Sequence, residues 1–153
     1  MNTTDTSTFA TFFAEAEPKL RPALIARYGG ELGRDATAEA LAYGWQHWDR
    51  VAEMDNPVGY LYRVGERWGR RQRPKQAIGT ADPAAGPGLD FEPGLAPALA
   101  ALSDRQRQVV VLTTGYGLTH AETADLLGIR RSSVQNHAER GLKRLRDHLG
   151  VHA

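Results

Sequence analysis

Four prolines and four glycines fall between Gln76 and Ala98 (QAIGTADPAAGPGLDFEPGLAPA), too closely spaced for a helical or strand period to run through them. That stretch reads as a linker, and it divides the chain into bodies at residues 8–75 and 99–150. Its few apolar side chains cannot offset the entropy of ordering it alone. Bodies of roughly 50 to 65 residues bury little surface, so each is expected to draw stability from the other or from a partner. Neither shows an internal repeat or an alternating strand pattern, which leaves an all-α reading with two small helical domains.

Composition narrows the functional classes. With 153 residues, 41% hydrophobic and 24% charged, the chain suits a soluble globular protein and leaves no room for a large multidomain enzyme. No cysteine is present, so disulfide scaffolds, thiol nucleophiles and cysteine-ligated zinc or iron–sulfur sites are excluded. The opening MNTTDTSTFA lacks the basic and apolar regions of a signal peptide, and no stretch reaches the ~18 apolar residues of a membrane span. The expected location is the cytoplasm, with no membrane contact and no cofactor.

The net charge of +1 conceals blocks of opposite sign. Residues 1–61 hold five Lys/Arg against nine Asp/Glu; 62–75 hold six against one; 76–100 hold none against three; 101–153 hold eight against five. Two basic blocks flanking an acidic connector suit two contacts with a polyanion, the alternative being solvated helix faces.

Apolar spacing places helices in both bodies. Phe9, Phe12, Phe13, Ala16, Leu20, Leu24 and Tyr28 predict a first helix ended by Gly29-Gly30. Asp35 is the expected cap of a second, with Leu41, Trp45 and Trp48 on one stripe. Asn56-Pro57 opens a third, apolar at Val58, Leu61, Val64 and Trp68 and basic at Arg63, Arg67, Arg70, Arg71, Arg73 and Lys75. A cationic tail beside Tyr60, Tyr62 and Trp68 is a combination that holds single-stranded DNA, unless those rings are core. After the linker, Ser103…Gln106, Thr119…Glu122 and Ser132…Gln135 each read as a capping box, which predicts helices over 103–114, 119–127 and 132–149.

The last two predicted helices are joined by Gly128-Ile129-Arg130-Arg131, with Ala124 small at the crossing and Val134 placed to fill it. That is the pattern of a helix-turn-helix; a hairpin used only for packing is the other reading. Ser132, Ser133, Gln135, Asn136 and Arg140 face away from the apolar seam, where amides and a guanidinium pair with base edges. Arg130, Arg131, Lys143 and Arg144 suit phosphates.

The segment LSDRQRQVVVLTTGYGLTHAETADLLGIRRSSVQNHAERGLKRLRDHL resembles region 4 of bacterial RNA polymerase sigma factors of the extracytoplasmic-function (ECF) group. FFAEAEPKLRPALIARYGG and DATAEALAYGWQHWDRVAEMDNPVGYLYRVGERWGRR resemble their region 2. The resemblance implies a subunit that docks on core RNA polymerase, opens the −10 promoter element with its first domain and reads the −35 element with its second. An anti-sigma factor is a further partner of this family. By the same resemblance Asp35, Glu39 and Leu41 fall on the Asp-Leu-Val-Gln-Glu-x-Phe helix that binds the polymerase clamp, and Trp45 on its later aromatic position. Ala38 stands where that motif has glutamine, and Gly65-Glu66-Arg67 where the family has Ala-Arg-Asn. The loop Val51–Asp55 corresponds to the pocket for a flipped −10 base.

Enzymatic readings find no support. His120-Ala121-Glu122 matches the His-x-Glu of zinc deaminases but lacks their cysteines, and the five histidines show no metalloprotease spacing. Besides a sigma factor, two readings stay open: a helix-turn-helix regulator that does not initiate transcription, and an interaction protein that occupies polymerase or an anti-sigma factor.

Overall fold

The computed structural model describes residues 3–73 and 94–150, and the elements among them are all helical. The first half holds α1 (Thr3–Tyr28), α2 (Gly30–Gln46), the single turn α3 (Trp48–Val51) and α4 (Pro57–Gln72). The second holds α5 (Leu95–Ala100), α6 (Asp104–Val110), a π-helical turn (Val111–Gly115), α7 (His120–Leu127) and α8 (Arg131–Leu149). No described helix is long and apolar enough to cross a membrane.

Gly29, at φ 93°, reverses the chain between α1 and α2 in a single residue. Helix α4 packs across both, its N-terminus capped by the Asn56 side chain, which accepts from Gly59 N. One apolar cluster then runs through both halves. Leu20, Leu24 and Tyr28 of α1 and Leu61 and Tyr62 of α4 lie in the same core as Val109, Leu126 and Val134. A second cluster joins Ala26 to Leu99, Leu102, Val110 and Val111. The halves therefore bury apolar surface against each other, as their small size requires.

Polar side chains complete this seam. Gln108, fully buried, donates to Ala23 O at 2.9 Å and to the Tyr62 hydroxyl at 2.7 Å. Arg107, also buried, donates from Nε to Ala26 O and from a terminal nitrogen to Asp104 at 2.7 Å. The Arg107 bond satisfies Ala26 O, one of the last four carbonyls of α1 that the helix itself leaves without donors.

Several local expectations shift. Helix α2 starts at Gly30, so Asp35 lies inside it and caps nothing; a one-residue turn leaves no room for a later start. Trp48 begins α3 because His47 (φ −121°, ψ 30°) breaks α2 after Gln46. The connector's final residues, from Leu95, are helical, with Leu95 and Ala96 packed against the second cluster, Ala98 buried and the following Leu99 part of that cluster. The helix expected over 103–114 changes pitch at Val111, where Tyr116 N bonds Val111 O five residues back. Two of the three capping boxes form, at Ser103 and Thr119. The third does not: Arg130 is the N-cap of α8, and Ser132 is already one residue inside the helix.

Candidate nucleic-acid interface

The second half builds a helix-turn-helix from local rules. Thr119 Oγ1 accepts from Glu122 N and Glu122 Oε1 accepts from Thr119 N, both at 3.0 Å. Hydrogen bonds to the carboxylate from the Thr119 backbone N–H and then from its side chain hold the exposed Glu122 carboxyl below its ordinary value. Gly128 ends α7 in the left-handed region at φ 69°, ψ 36°, and its N–H and that of Ile129 both bond Ala124 O. The reversal brings α8 across α7, where Val134 is fully buried and Ala124 and Ala138 nearly so.

Opposite that seam, Arg130, Arg131, Ser132, Gln135, Asn136 and Arg140 are exposed, and Ser133 is half-buried. Gln135 Nε2 donates to Glu139 at 3.2 Å, which orients its amide along the helix. Lys143 and Arg144 are exposed too, but Arg144 is spent inward, bonding Gln106 at 3.0 Å and Ala101 O at 2.9 Å. It ties α8 to α5 and α6.

The basic face of α4 divides in the same way. Glu66 gathers cations: Arg27 at 2.5 Å, Arg70 at 3.2 Å and Arg105 at 4.0 Å, with the Tyr62 hydroxyl donating at 3.1 Å. Arg73 bonds Asp104 at 3.0 Å and Arg27 O at 2.8 Å. Asp104 is opposed by burial, yet the bonds from Arg73 and Arg107 hold its carboxyl below the ordinary value. Arg67 and Arg71 are exposed and make no ion pair among the described residues, while Arg63 lies beside the turn at Gly128. Tyr62 is core, with burial pushing its hydroxyl up, whereas Tyr60 and Trp68 are half-buried at the core's edge.

The four residues aligned with the polymerase-binding motif do not all line one groove. Leu41 and Trp45 line an apolar groove of about 580 Å³ between α1 and α2, beside Phe9, Phe13 and Ala38. Trp45 packs on Phe9 with ring centroids 5.2 Å apart, and Phe13 is 42% exposed, so the groove has an open aromatic wall. Glu39 instead lines a smaller groove between α2 and α4. Asp35 is exposed on α2 and lines neither.

Sequence spacing alone passed over an aromatic and cationic cluster at the end of α2. The Tyr43 hydroxyl meets the Tyr60 hydroxyl at 3.2 Å, Arg50 donates to Tyr43, and the His47 ring stacks on Tyr43 at 4.1 Å. Tyr43, His47 and Arg50 sit at steps of four and three, a signal available in the sequence but masked by the broken helix between them.

Comparison with known proteins is consistent with this architecture. Residues 95–145 match the family model described as sigma-70, region 4. No curated relative matches the chain. The sigma factor RpoE of Bartonella quintana, solved in complex with the anti-sigma factor NepR, is similar at 19% identity, covering 95% of this chain and 99% of that one with a TM-score of 0.68. CnrH, solved in complex with the cytosolic domain of CnrY, is similar at 21% identity, covering 95% of this chain and 89% of that one with a TM-score of 0.65. The second half is thus similar to sigma-70 region 4, and the described residues share the fold of these two chains.

Proposed function

We propose that the chain is a sigma factor of the ECF group, which binds core RNA polymerase and directs promoter recognition and transcription initiation. One observation carries the reading: a helix-turn-helix matching sigma-70 region 4 presents Gln135, Asn136 and Arg140 to solvent on one helix, inside a fold shared along 95% of the chain with a known sigma factor. In this reading those three side chains read base edges of the −35 element. Arg130, Arg131 and Lys143 hold flanking phosphates, and Ser132 and Ser133 approach the backbone. In the first half, Arg63, Arg67 and Arg71 contact the opened strand, while Arg70 acts mainly through Glu66.

The polymerase contact belongs to the α1/α2 groove, where Leu41 and Trp45 meet. An α-helix with its side chains is about 10–12 Å across, and the open wall at Phe13 lets one lie along the groove. An anti-sigma factor, the partner class present with the similar RpoE chain, would compete for the same apolar surface. Sigma factors act by binding, so no catalytic residue is assigned.

Purified chain should co-purify with core polymerase and support run-off transcription from a cognate promoter. Alanine at Gln135, Asn136 or Arg140 should relax selection at one or two positions of a randomised −35 library, each costing roughly 1–3 kcal/mol of discrimination. Failure to bind core would sink the reading; binding without run-off would favour an interaction protein.

A further inference from the structure

A cavity of about 330 Å³ lies where the ends of α1 and α4 meet the start of α6, with Arg27, Tyr28, Arg73, Leu102, Asp104 and Arg107 in its walls. Three guanidiniums therefore line it against one carboxylate, in a space of the size that small-molecule sites occupy. Two of them are held close together. Arg73 and Arg107 bond the Asp104 carboxylate at 3.0 and 2.7 Å, and both donate to Arg27 O, at 2.8 and 3.4 Å. Nitrogens that share one oxygen at those distances are no more than about 6 Å apart, where like charges shielded from water repel strongly.

The excess of positive charge extends beyond the cavity. Glu66 takes Arg27, Arg70 and Arg105, and Asp104 takes Arg73 and Arg107, so five arginines share two carboxylates. Arg107 is only 4% exposed. Burial first, then repulsion from Arg73 and Arg27, pulls its guanidinium below the ordinary value in spite of Asp104. Unspent donors remain as well. A guanidinium carries five N–H groups, of which Arg73 uses two, on Asp104 and Arg27 O, among the described residues. Arg27 Nε is buried and has no hydrogen-bond partner among them, and a buried donor is costly unless an acceptor reaches it.

We propose that this cavity binds the diphosphate group of a small anion, which takes bonds from Arg27 and Arg73 of the first half and from Arg107 of the second. Guanidiniums pair with phosphate oxygens two at a time. A diphosphate brings more charge and more acceptor oxygens than one phosphate, so it better matches three arginines set against a single carboxylate. Because the cavity takes its walls from both halves, the bound anion ties them together. Under the sigma-factor reading it then opposes any partner that needs the halves apart; the site itself stands on the cavity and does not depend on that reading.

Calorimetric titration of the full chain, at fixed ionic strength and without divalent cations, tests this with inorganic pyrophosphate, inorganic phosphate, sulfate and ADP. Pyrophosphate should bind one to one, about tenfold more tightly than phosphate or sulfate. At about 100 times its Kd it should raise Tm by several degrees. ADP binding as tightly as pyrophosphate or more so would name a nucleotide as the source of the diphosphate, and weaker ADP the free anion. Arg73→Gln, which alters a side chain 45% exposed, should lower pyrophosphate affinity about tenfold. Arg67→Gln, an exposed cation outside the cavity, should bind as wild type does. Asp104→Asn removes the competing carboxylate and should tighten binding about threefold even as it lowers Tm, a divergence that a purely structural role would not give. Pyrophosphate bound no better than sulfate, or bound equally by Arg73→Gln and wild type, would overturn the inference. So would single-stranded dT12 binding that is lost in Arg73→Gln while pyrophosphate binds neither protein, since these arginines would then be DNA contacts. In a core polymerase pull-down, pyrophosphate should reduce retention of wild type and not of Arg73→Gln. Equal loss or none, with the titration intact, would overturn the coupling between halves, and a chain not retained even without the anion would count against the sigma reading alone.

Discussion

Glu66 is the single acid in a block of six cations, and its neighbours explain its presence. Arg27 and Arg105 approach it from α1 and α6, so it neutralises charge where the two halves meet. Its side chain is only 16% exposed, and Arg27 is nearly as covered at 18%. Removing one partner of such a pair leaves a poorly hydrated cation behind. Glu66→Ala should therefore lower unfolding free energy by about 2–3 kcal/mol, and Glu66→Arg, the residue the resemblance leads one to expect, by more. Urea unfolding of both variants and wild type checks this; a stable Glu66→Arg would mean the cluster contributes little. Alignment with a motif exposed this departure but gave no reason for it, because Arg27 and Arg105 lie 39 residues away on either side.

Among the elements, the caps separate what local chemistry fixes from what it does not. Ser103 and Thr119 each close a reciprocal box, so alanine at either should cost about 1 kcal/mol. Ser132 fits the same pattern in sequence yet caps nothing, and Ser132→Ala should change stability by no more than a few tenths of a kcal/mol. Thermal melts of the three variants decide it, equal losses being the contrary result. Ser132 misled because the left-handed Gly128 and the inward turn of Ile129 make Arg130 the last extended residue, two positions earlier than the hydroxyl pattern implies. The same limit hid the start of α2: Asp35 is a good cap by type, but the one-residue turn at Gly29 had already begun the helix. The Asn56 cap, the Gly128 corner and the exposed face of α8 were all legible, since each depends on residues a few positions apart. The division of Leu41 and Trp45 from Glu39 into two grooves was not, since it depends on where α1 and α4 lie against α2.

For the molecule as a whole, the seam between halves is both apolar and polar, and its polar part responds to acid. Asp104 sits between Arg73 of the first half and Arg107 of the second. Its folded value lies below that of an unfolded carboxylate, about 3.9, so its contribution is complete above that pH and is lost as pH falls through the lower folded value. Asp104→Asn should lower Tm by a few degrees near pH 7, with the gap to wild type closing below about pH 3. A gap independent of pH, measured by calorimetry, would assign the effect to packing.

The seam also sets a length. Elements named for positions about 10 and about 35 base pairs upstream lie about 85 Å apart at about 3.4 Å per base pair. A packed body of about 128 residues, the number described at 3–73 and 94–150, has a radius of gyration near 14 Å and measures about 36 Å across. With Gln108 seated against Tyr62 and Ala23, the chain is a ruler half as long as the object it is proposed to measure. To touch both marks at once it has to part along the line where Arg107 and Gln108 enter α1, giving up buried polar bonds that polymerase and DNA must together outweigh.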